Sequence, residues 1–201
     1  MDWVKVIADE ARTSAIIRSD ALAEKTGISI QSLGAILRRQ QARGLVEHVA
    51  RKLYVNKLAV GFDPRDLATT ISSESYVSLE SALNEWGVFS QSPFALTCVS
   101  KKQIRPIETS IAKITFRTIK KDLFWGFVER KTKYGEYKLA EPEKAILDWL
   151  YFRSKKRQPL DLDEFELQRV SRSRLLKYSE SYPNILRQSI YPILLNHQFA
   201  A

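Results

Sequence analysis

The sequence predicts an α+β fold, and three observations indicate it. Apolar residues recur at helical spacing before residue 44 and again after Pro142. Between these regions lie short runs that alternate apolar and polar residues, as half-buried strands do, and residues 113–119 give the clearest case. Glycines and Ser/Thr-rich stretches separate the runs, where helices and strands end. We therefore expect helices at both ends of the chain and a sheet in the middle.

The amino-terminal region predicts three helices, each ended by a residue suited to that place. They cover residues 3–12, 20–25 and 29–43. Ser19 and Ser29 are suited to cap the second and third helices, because a serine oxygen accepts hydrogen bonds from the amides of the first turn. Gly27 and Gly44 follow these two helices and mark their ends.

Strands and further helices are expected after the third helix. The expected strands cover residues 45–49, 53–55, 94–100, 113–119, 127–130 and 136–139. The expected helices cover residues 78–86, 143–152, 171–181 and 184–196. The first two strands flank Ala50, Arg51 and Lys52 and are expected to form a small hairpin.

The composition changes near residue 60. Gly61 and Pro64 are followed by the run Thr-Thr-Ile-Ser-Ser-Glu-Ser, which is typical of a connection between packed units. We predict two domains, residues 1–60 and 61–201, with residues 61–75 as a partly helical connector. The second is expected to be a mixed α/β domain that ends in helices.

The charge and cysteine content restrict the class of protein. The chain of 201 residues has a formal net charge of +9 and a pI near 9.6, which favours a polyanionic partner such as nucleic acid. Cys98 is the only cysteine, which excludes an intrachain disulfide and favours the cytoplasm. With only His48 and His197 besides, no structural zinc and no cofactor are expected. No uncharged run approaches the roughly 18 residues of a membrane helix, so no membrane partner is expected.

Residues 19–43 have the pattern of a helix-turn-helix. The first helix of this motif needs a small residue where the second crosses it, and the turn needs a residue that tolerates positive φ. Ala23 and Gly27 meet these needs, and Leu33 and Ile36 supply the apolar side of the next helix. Followed by a basic hairpin, this pattern predicts a winged helix-turn-helix that binds duplex DNA. The alternative is a helical hairpin packed inside some other fold.

The outward side of the third helix and the hairpin tip supply the candidate DNA contacts. They are Ser29, Gln31, Ser32, Arg38, Arg39, Arg51 and Lys52. Gln31 suits a bidentate hydrogen bond to adenine, and either serine can reach a base or a phosphate. The two helix arginines suit phosphates, and the hairpin pair suits the backbone or the minor groove.

Two sequence blocks in the second domain carry a family resemblance. The first is Tyr-Val-Ser-Leu-Glu-Ser-Ala-Leu at residues 76–83, ahead of Trp86 and Gly87. The second is Gly-Glu-Tyr-Lys-Leu-Ala-Glu-Pro-Glu-Lys-Ala-Ile-Leu-Asp-Trp-Leu-Tyr at residues 135–151. In this order, and behind a winged helix, the blocks resemble the AbiEi family, the antitoxins of type IV toxin–antitoxin systems of abortive infection.

The resemblance implies two activities. The winged helix binds inverted repeats in the promoter of its own operon and represses transcription. The second domain counteracts a cognate nucleotidyltransferase toxin, with or without a stable complex between the two proteins. Both activities are expectations that come from the family and not from composition or spacing.

A basic stretch in the second domain is the candidate antitoxin surface. Residues 101–138 hold 11 basic and 4 acidic residues. The candidates are Lys101, Lys102, Arg105, Lys113, Arg117, Lys120 and Lys121. These side chains are suited to face the toxin or a nucleic acid on which the toxin acts. The alternative is that they form a solvated sheet face.

No enzymatic site is expected. Glu143 and Lys144 are adjacent, whereas a nuclease of the Asp…Glu-x-Lys type separates these residues by one position, and no Gly-rich phosphate loop occurs. We interpret Glu143, Lys144 and Asp148 as parts of a helix that starts at Pro142 and packs on a sheet. Two other functions stay open. One is a winged-helix transcription factor whose second domain senses a ligand or dimerises, and the other is an RNA-binding module that uses the basic stretch.

Overall fold

Residues 1–60, hereafter the amino-terminal unit, form three helices and a three-stranded antiparallel sheet in the computed structural model. The helices are α1 (Trp3–Glu10), α2 (Ser19–Thr26) and α3 (Ile30–Ala42). The strands are β1 (Ile16–Arg18), β2 (Val46–Ala50) and β3 (Leu53–Asn56), in the sheet order β1-β3-β2. The structure describes residues 1–156, 158, 162 and 164–199.

The helix ends of the amino-terminal unit follow the expected chemistry at both ends of α3 and at the carboxyl end of α2, but not at the start of α2. Gly27 ends α2 with a φ of +70°, and the Ser29 side chain caps α3 by accepting the amide of Ser32. The expected cap at Ser19 is wrong, because Ser19 lies inside α2 and is buried. Its amide donates to the Lys52 carbonyl at 2.9 Å, so the strand pairing of β1 continues to the first residue of the helix.

Residues 61–199, hereafter the carboxyl-terminal unit, form a mixed six-stranded sheet with five helices in the described part of the chain. The helices are α4 (Pro64–Ile71), α5 (Leu79–Glu85), α6 (Pro142–Lys155), α7 (Arg172–Ser179) and α8 (Asn184–Asn196). The strands are β4 (Ser75–Val77), β5 (Leu96–Ser100), β6 (Ile107–Glu108), β7 (Lys113–Thr118), β8 (Phe127–Lys131) and β9 (Glu136–Ala140), in the order β6-β7-β5-β4-β9-β8. The predicted α+β class is confirmed.

The start of β5 differs from the sequence-based expectation. A strand was expected from residue 94, but β5 begins at Leu96, and Phe94 lies outside the strand and is 92% exposed. The neighbouring strands explain the difference. Leu96 pairs with Ile114, and in this register Phe94 would lie opposite Ala112, before β7 begins at Lys113.

The three-stranded sheet of the amino-terminal unit has an apolar core on each face. On one face, Ile17 and Tyr54 pack with the three helices of that unit. On the other, Ile16 and Val55 pack against the large core of the carboxyl-terminal unit. The two faces alternate along β1 and β3, because successive side chains of a strand point to opposite sides. The two units therefore share an apolar contact at this sheet.

Polar contacts also join the two units. The Ser110 amide donates to the Glu47 carboxylate at 2.8 Å, which ties the turn between β6 and β7 to β2. The Lys133 ammonium and the Tyr134 hydroxyl both donate to the Val60 carbonyl at 2.9 Å. Among the described residues, no helix has the length and apolar character needed to cross a membrane.

Candidate nucleic-acid interface

Helix α3 buries one side and leaves the other open to solvent. Leu33 and Leu37 are fully buried in the core of the amino-terminal unit. Gln31 and Arg38 are seven residues apart and lie on the opposite side, since a helix repeats every 3.6 residues. All seven side chains that the sequence proposed as DNA contacts are exposed: Ser29, Gln31, Ser32, Arg38, Arg39, Arg51 and Lys52.

The first turn of α3 presents two hydroxyl groups and an aliphatic side chain. Ser29 Oγ accepts the Ser32 amide at 3.2 Å and donates to Ser32 Oγ at 2.9 Å, so this oxygen is largely occupied by capping. Ser32 keeps its own proton for another acceptor. Ile30 is 51% exposed beside Gln31, and sequence reasoning gave it no role.

Half of the ten basic residues in the amino-terminal unit are paired with acids. The pairs are Arg12–Asp9, Arg18–Asp20, Lys25–Glu10, Lys52–Asp20 and Lys57–Glu47. The other five form no ion pair with any residue that the structure describes: Lys5, Arg38, Arg39, Arg43 and Arg51. Four of these five lie in the last turns of α3, directly after it or at the hairpin tip. The uncompensated positive charge of the unit is therefore concentrated there.

Arg43 was missed by sequence reasoning, although it is exposed and follows α3 directly. A cation directly after the helix could have been proposed as a DNA contact from the sequence. Two other arginines precede it on the helix, however, and the sequence does not show which cations have acidic partners. Only the folded arrangement separates the paired from the unpaired cations.

The two hairpin residues differ in their surroundings. Lys52 has a left-handed φ of 64°, and its ammonium lies 3.4 Å from the Asp20 carboxylate of α2. The hydrogen bond from the Ala21 amide lowers the pKa of Asp20 most, and the Lys52 ammonium lowers it further. Arg51 forms no hydrogen bond or ion pair with the described residues. Arg51 is therefore the cation that the hairpin offers to an anionic partner without breaking an existing pair.

The structure separates the basic stretch of residues 101–138 into several groups. Lys101 and Lys102 follow β5 and both contact Glu74, at 3.1 and 2.8 Å. Lys120 and Lys121 follow the neighbouring parallel strand β7 and are exposed at the same end of the sheet. The strands β7 and β8 are four positions apart in the sheet, about 19 Å at the usual strand spacing. The stretch is therefore not one continuous surface.

The remaining candidates of this stretch lie on or beside β7. Lys113 begins the strand, where its ammonium is 3.9 Å from Glu108. Arg117 is exposed near the other end and lines a small cavity with Trp149 and Phe152 of α6. Arg105 is exposed just before β6. Four of the seven candidates form no ion pair with the described residues: Arg105, Arg117, Lys120 and Lys121.

The two sequence blocks of the carboxyl-terminal unit meet at one buried polar network. Asp148 of α6 accepts hydrogen bonds from Tyr76 at 2.8 Å and Ser78 at 2.9 Å through one oxygen. Its other oxygen accepts from Lys144 and from Tyr182, the latter at 2.8 Å. The network joins β4, α6 and the segment before α8. The sequence predicted that the helix of the second block packs on a sheet, but it did not predict that the two blocks contact each other.

The Lys144–Asp148 pair is closed to solvent. Both side chains have an exposure of 0%. The Lys144 ammonium lies 5.3 Å from the ring centres of Tyr76, Trp125 and Tyr182. Burial lowers the pKa of Lys144 below its usual 10.5, although Asp148 acts in the opposite direction. A solvent-borne substrate has no path to these groups in this conformation, so the arrangement is suited to holding α6 on the sheet.

Glu143 also has a structural contact. Its carboxylate accepts the Ser171 amide at 2.8 Å, directly before α7, and lies 3.4 Å from the Arg174 guanidinium. It therefore fixes the start of α7 against α6. Among the described residues, no group of three His, Cys, Asp or Glu side chains is arranged to hold a metal ion.

Comparisons with known proteins do not assign the chain to a family. No protein-family model matches the sequence, and no curated protein matches it.

Proposed function

We propose that the chain is a transcriptional repressor that binds its own promoter through a winged helix-turn-helix in the amino-terminal unit. The observation that carries the proposal is the group of unpaired arginines, Arg38, Arg39, Arg43 and Arg51, on and beside the outward side of α3 and at the hairpin tip. The order α1-β1-α2-α3-β2-β3 and the strand order β1-β3-β2 support it, because they place a helix pair and a hairpin next to each other.

The arrangement suggests a division of labour between the two ends of α3. The amino end carries Gln31 and Ser32, which are suited to read base edges in the major groove. Ile30 adds an aliphatic group that suits the methyl group of thymine. The arginines at the other end are suited to phosphates, which position the helix but carry no sequence information.

The second part of the proposal is that the carboxyl-terminal unit counteracts a cognate nucleotidyltransferase toxin. It rests on the resemblance to the AbiEi antitoxins. The two blocks that carry the resemblance meet at the Lys144–Asp148 pair, which supports their belonging to one structural unit. The competing proposal is a winged-helix regulator whose second unit senses a ligand and has no antitoxin activity, and a cavity between the two units favours it. A nucleotidyltransferase reading frame beside the gene would favour the antitoxin over this alternative.

The DNA part is tested by gel-shift titration with promoter DNA and a random duplex at several salt concentrations. With about six phosphate contacts, the logarithm of the binding constant should fall against the logarithm of the salt concentration with a slope of about −5. Replacing Arg38 and Arg39 by alanine should weaken binding and flatten the slope by about 2. The matched control replaces Arg12 and Lys25, which removes the same charge where acids already compensate it. No preference for the promoter over the random duplex would exclude a specific repressor.

The antitoxin part is tested by growth rescue during toxin expression, with the full-length chain under a foreign promoter. The chain with alanine at positions 38, 39 and 51 should rescue growth as well as the unchanged protein. Failure of that variant, if it is folded and soluble, would mean that neutralisation works through DNA binding.

A further inference from the structure

A cavity of about 790 Å³ lies between the two units. Residues 14–16 and Arg18 of the amino-terminal unit form one wall. The opposite walls are formed by α4 with the segment that follows it, by residues 102–104 and by residues 134–136. Ligand sites typically have about 300–1,000 Å³ and occur preferentially where domains meet. The size and place of this cavity are those of a small-molecule site.

The cavity wall carries carboxylates that have no ion-pair partner among the described residues. Three carboxylates line it, those of Asp66, Glu74 and Glu136, against the two cations Arg18 and Lys102. The chain as a whole has a net charge of +9. Both cations already have acidic partners, since Lys102 lies 2.8 Å from Glu74 and Arg18 lies 3.8 Å from Asp20. Asp66 and Glu136 form no ion pair with the described residues. Lys101 also contacts Glu74, at 3.1 Å, and the Lys138 ammonium donates to the Ser73 carbonyl at the edge of the cavity. Asp66 and Glu136 are therefore the two charges of the wall that remain without an opposite charge in contact in the described part of the chain.

Asp66 has one carboxylate oxygen without a donor. The side chain is buried, with 4% exposure, and its Oδ2 accepts the Thr132 hydroxyl at 2.6 Å. Its Oδ1 has no hydrogen-bond partner among the described residues. A buried carboxylate oxygen without a donor is unfavourable, because its hydration has been lost and not replaced. Burial also raises the pKa of Asp66 above its usual 3.8. Oδ1 is closed to solvent in this conformation, so a ligand donor would reach it through a shift of the Asp66 side chain and would then offset this loss.

The rest of the cavity wall combines hydroxyl groups with short apolar surfaces. Thr70, Ser72 and Ser73 line it, and their side chains form no hydrogen bond with the described residues. Ile71 and Ile104 lie beside them. Such a surface suits an alkyl chain of a few carbons with polar ends.

We propose that this cavity binds a small primary amine whose ammonium group pairs with Asp66, and that occupancy changes the DNA affinity of the amino-terminal unit. The first part stands on the cavity alone, whereas the second rests on the proposed function. The coupling follows from the position of the cavity, because a ligand that contacts both units favours the arrangement of units in which it fits. Bound DNA must then change the amine affinity by the same factor.

The binding is tested by calorimetric titration of the full-length chain with 1,4-diaminobutane at constant ionic strength. The comparison ligand is 1,4-butanediol, which has the same chain without the charges. We expect the diamine to bind and the diol to bind at least about tenfold more weakly, a difference of about 1.4 kcal/mol. Asp66→Asn keeps the size of the side chain and an acceptor for Thr132, and should weaken diamine binding by a similar factor. Glu129→Gln removes an exposed carboxylate outside the cavity and should leave diamine binding unchanged.

A second variant keeps the test decisive if Asp66→Asn does not fold. Thr70→Trp places a large side chain in the cavity from a half-buried position and should abolish diamine binding. The proposal is overturned if the unchanged chain binds no diamine up to about 10 mM, well above a weak dissociation constant of about 1 mM. Equal binding of the diol, or unchanged binding by Asp66→Asn or Thr70→Trp, would overturn it as well.

The coupling is tested by promoter gel shifts with and without 1,4-diaminobutane. The diamine also competes for DNA phosphates, so the informative quantity is the difference between the unchanged chain and Asp66→Asn at the same diamine concentration. If the diamine changes the DNA affinity of the unchanged chain and of Asp66→Asn by different factors, regulation through the cavity is supported. Equal changes in the two proteins exclude it. If the chain does not bind the promoter at all, the proposed function fails, while the calorimetric titration still decides whether the cavity binds the amine.

Discussion

The availability of each cation to a partner depends on the nearest carboxylate in the folded chain. Arg51 and Lys52 are neighbours at one hairpin tip, but only Lys52 has an acid within reach, Asp20 at 3.4 Å. The sequence predicted which side of α3 faces outward, because helical spacing determines it. It did not predict which cations are compensated, because the acids that pair with them come from other elements.

Gln31→Ala should reduce the preference for promoter over random duplex by roughly 1–3 kcal/mol, the usual effect of losing a bidentate base contact. Competition binding with the two duplexes measures this preference. Arg38→Ala serves as the comparison and should weaken binding to both duplexes alike, as loss of a phosphate contact does. The reverse result would exchange the roles assigned to the two residues.

Lys144→Met should destabilise the fold by about 3–5 kcal/mol, since it leaves the buried Asp148 carboxylate without its cation. Urea denaturation measures the change. The double variant with Asp148→Leu should recover part of the loss, because replacing both members of a buried pair by apolar residues is often tolerated. A single variant as stable as the unchanged chain would show that the pair does not contribute to holding α6 on the sheet.

At the scale of elements, length decided what was predictable. Helix α8 and the long segments α3 and β7 were predicted within a few residues, because each shows several periods of its apolar pattern. The strands β1, β4 and β6 have two or three residues and were not predicted. Such short strands have no pattern of their own and are defined by their pairing with distant segments.

Ser29→Ala should destabilise the chain by about 1 kcal/mol, because the capping oxygen of α3 is lost. Thermal or urea denaturation measures the effect. Ser29→Asp is the matched variant and should retain most of the stability, since aspartate caps equally well. A loss for both substitutions would mean that the hydroxyl has a role other than accepting the Ser32 amide.

At the scale of the molecule, the junction between the units combines apolar and charged contacts. Burial of the Glu47 carboxylate opposes its ionisation, but the hydrogen bonds from Ser110 and the charge of Lys57 outweigh burial and lower its pKa below 4.5. A carboxylate whose pKa is lowered by folding stabilises the folded state at pH values above its ordinary pKa. This contribution is lost as the pH falls through the lowered pKa. The junction should therefore be most stable near neutral pH.

The stability difference between the unchanged chain and Glu47→Gln should be present at pH 7 and should disappear well below pH 4.5. Urea denaturation at several pH values measures it. Glu129→Gln, at an exposed carboxylate away from the junction, controls for the loss of one charge. A difference that persists at low pH would mean that the contact with Ser110 does not depend on the charge of Glu47.

The double-faced sheet has a consequence for exchanging the proposed DNA specificity between proteins of this architecture. A graft of residues 1–60 onto another second domain carries Ile16 and Val55, whose side chains fit the large core of the original partner. A chimera that keeps these two residues places them against a surface of different shape, and overpacking or voids in a core typically cost a few kcal/mol. Redesign of specificity is therefore simpler by changing the outward residues of α3 than by transplanting the whole unit.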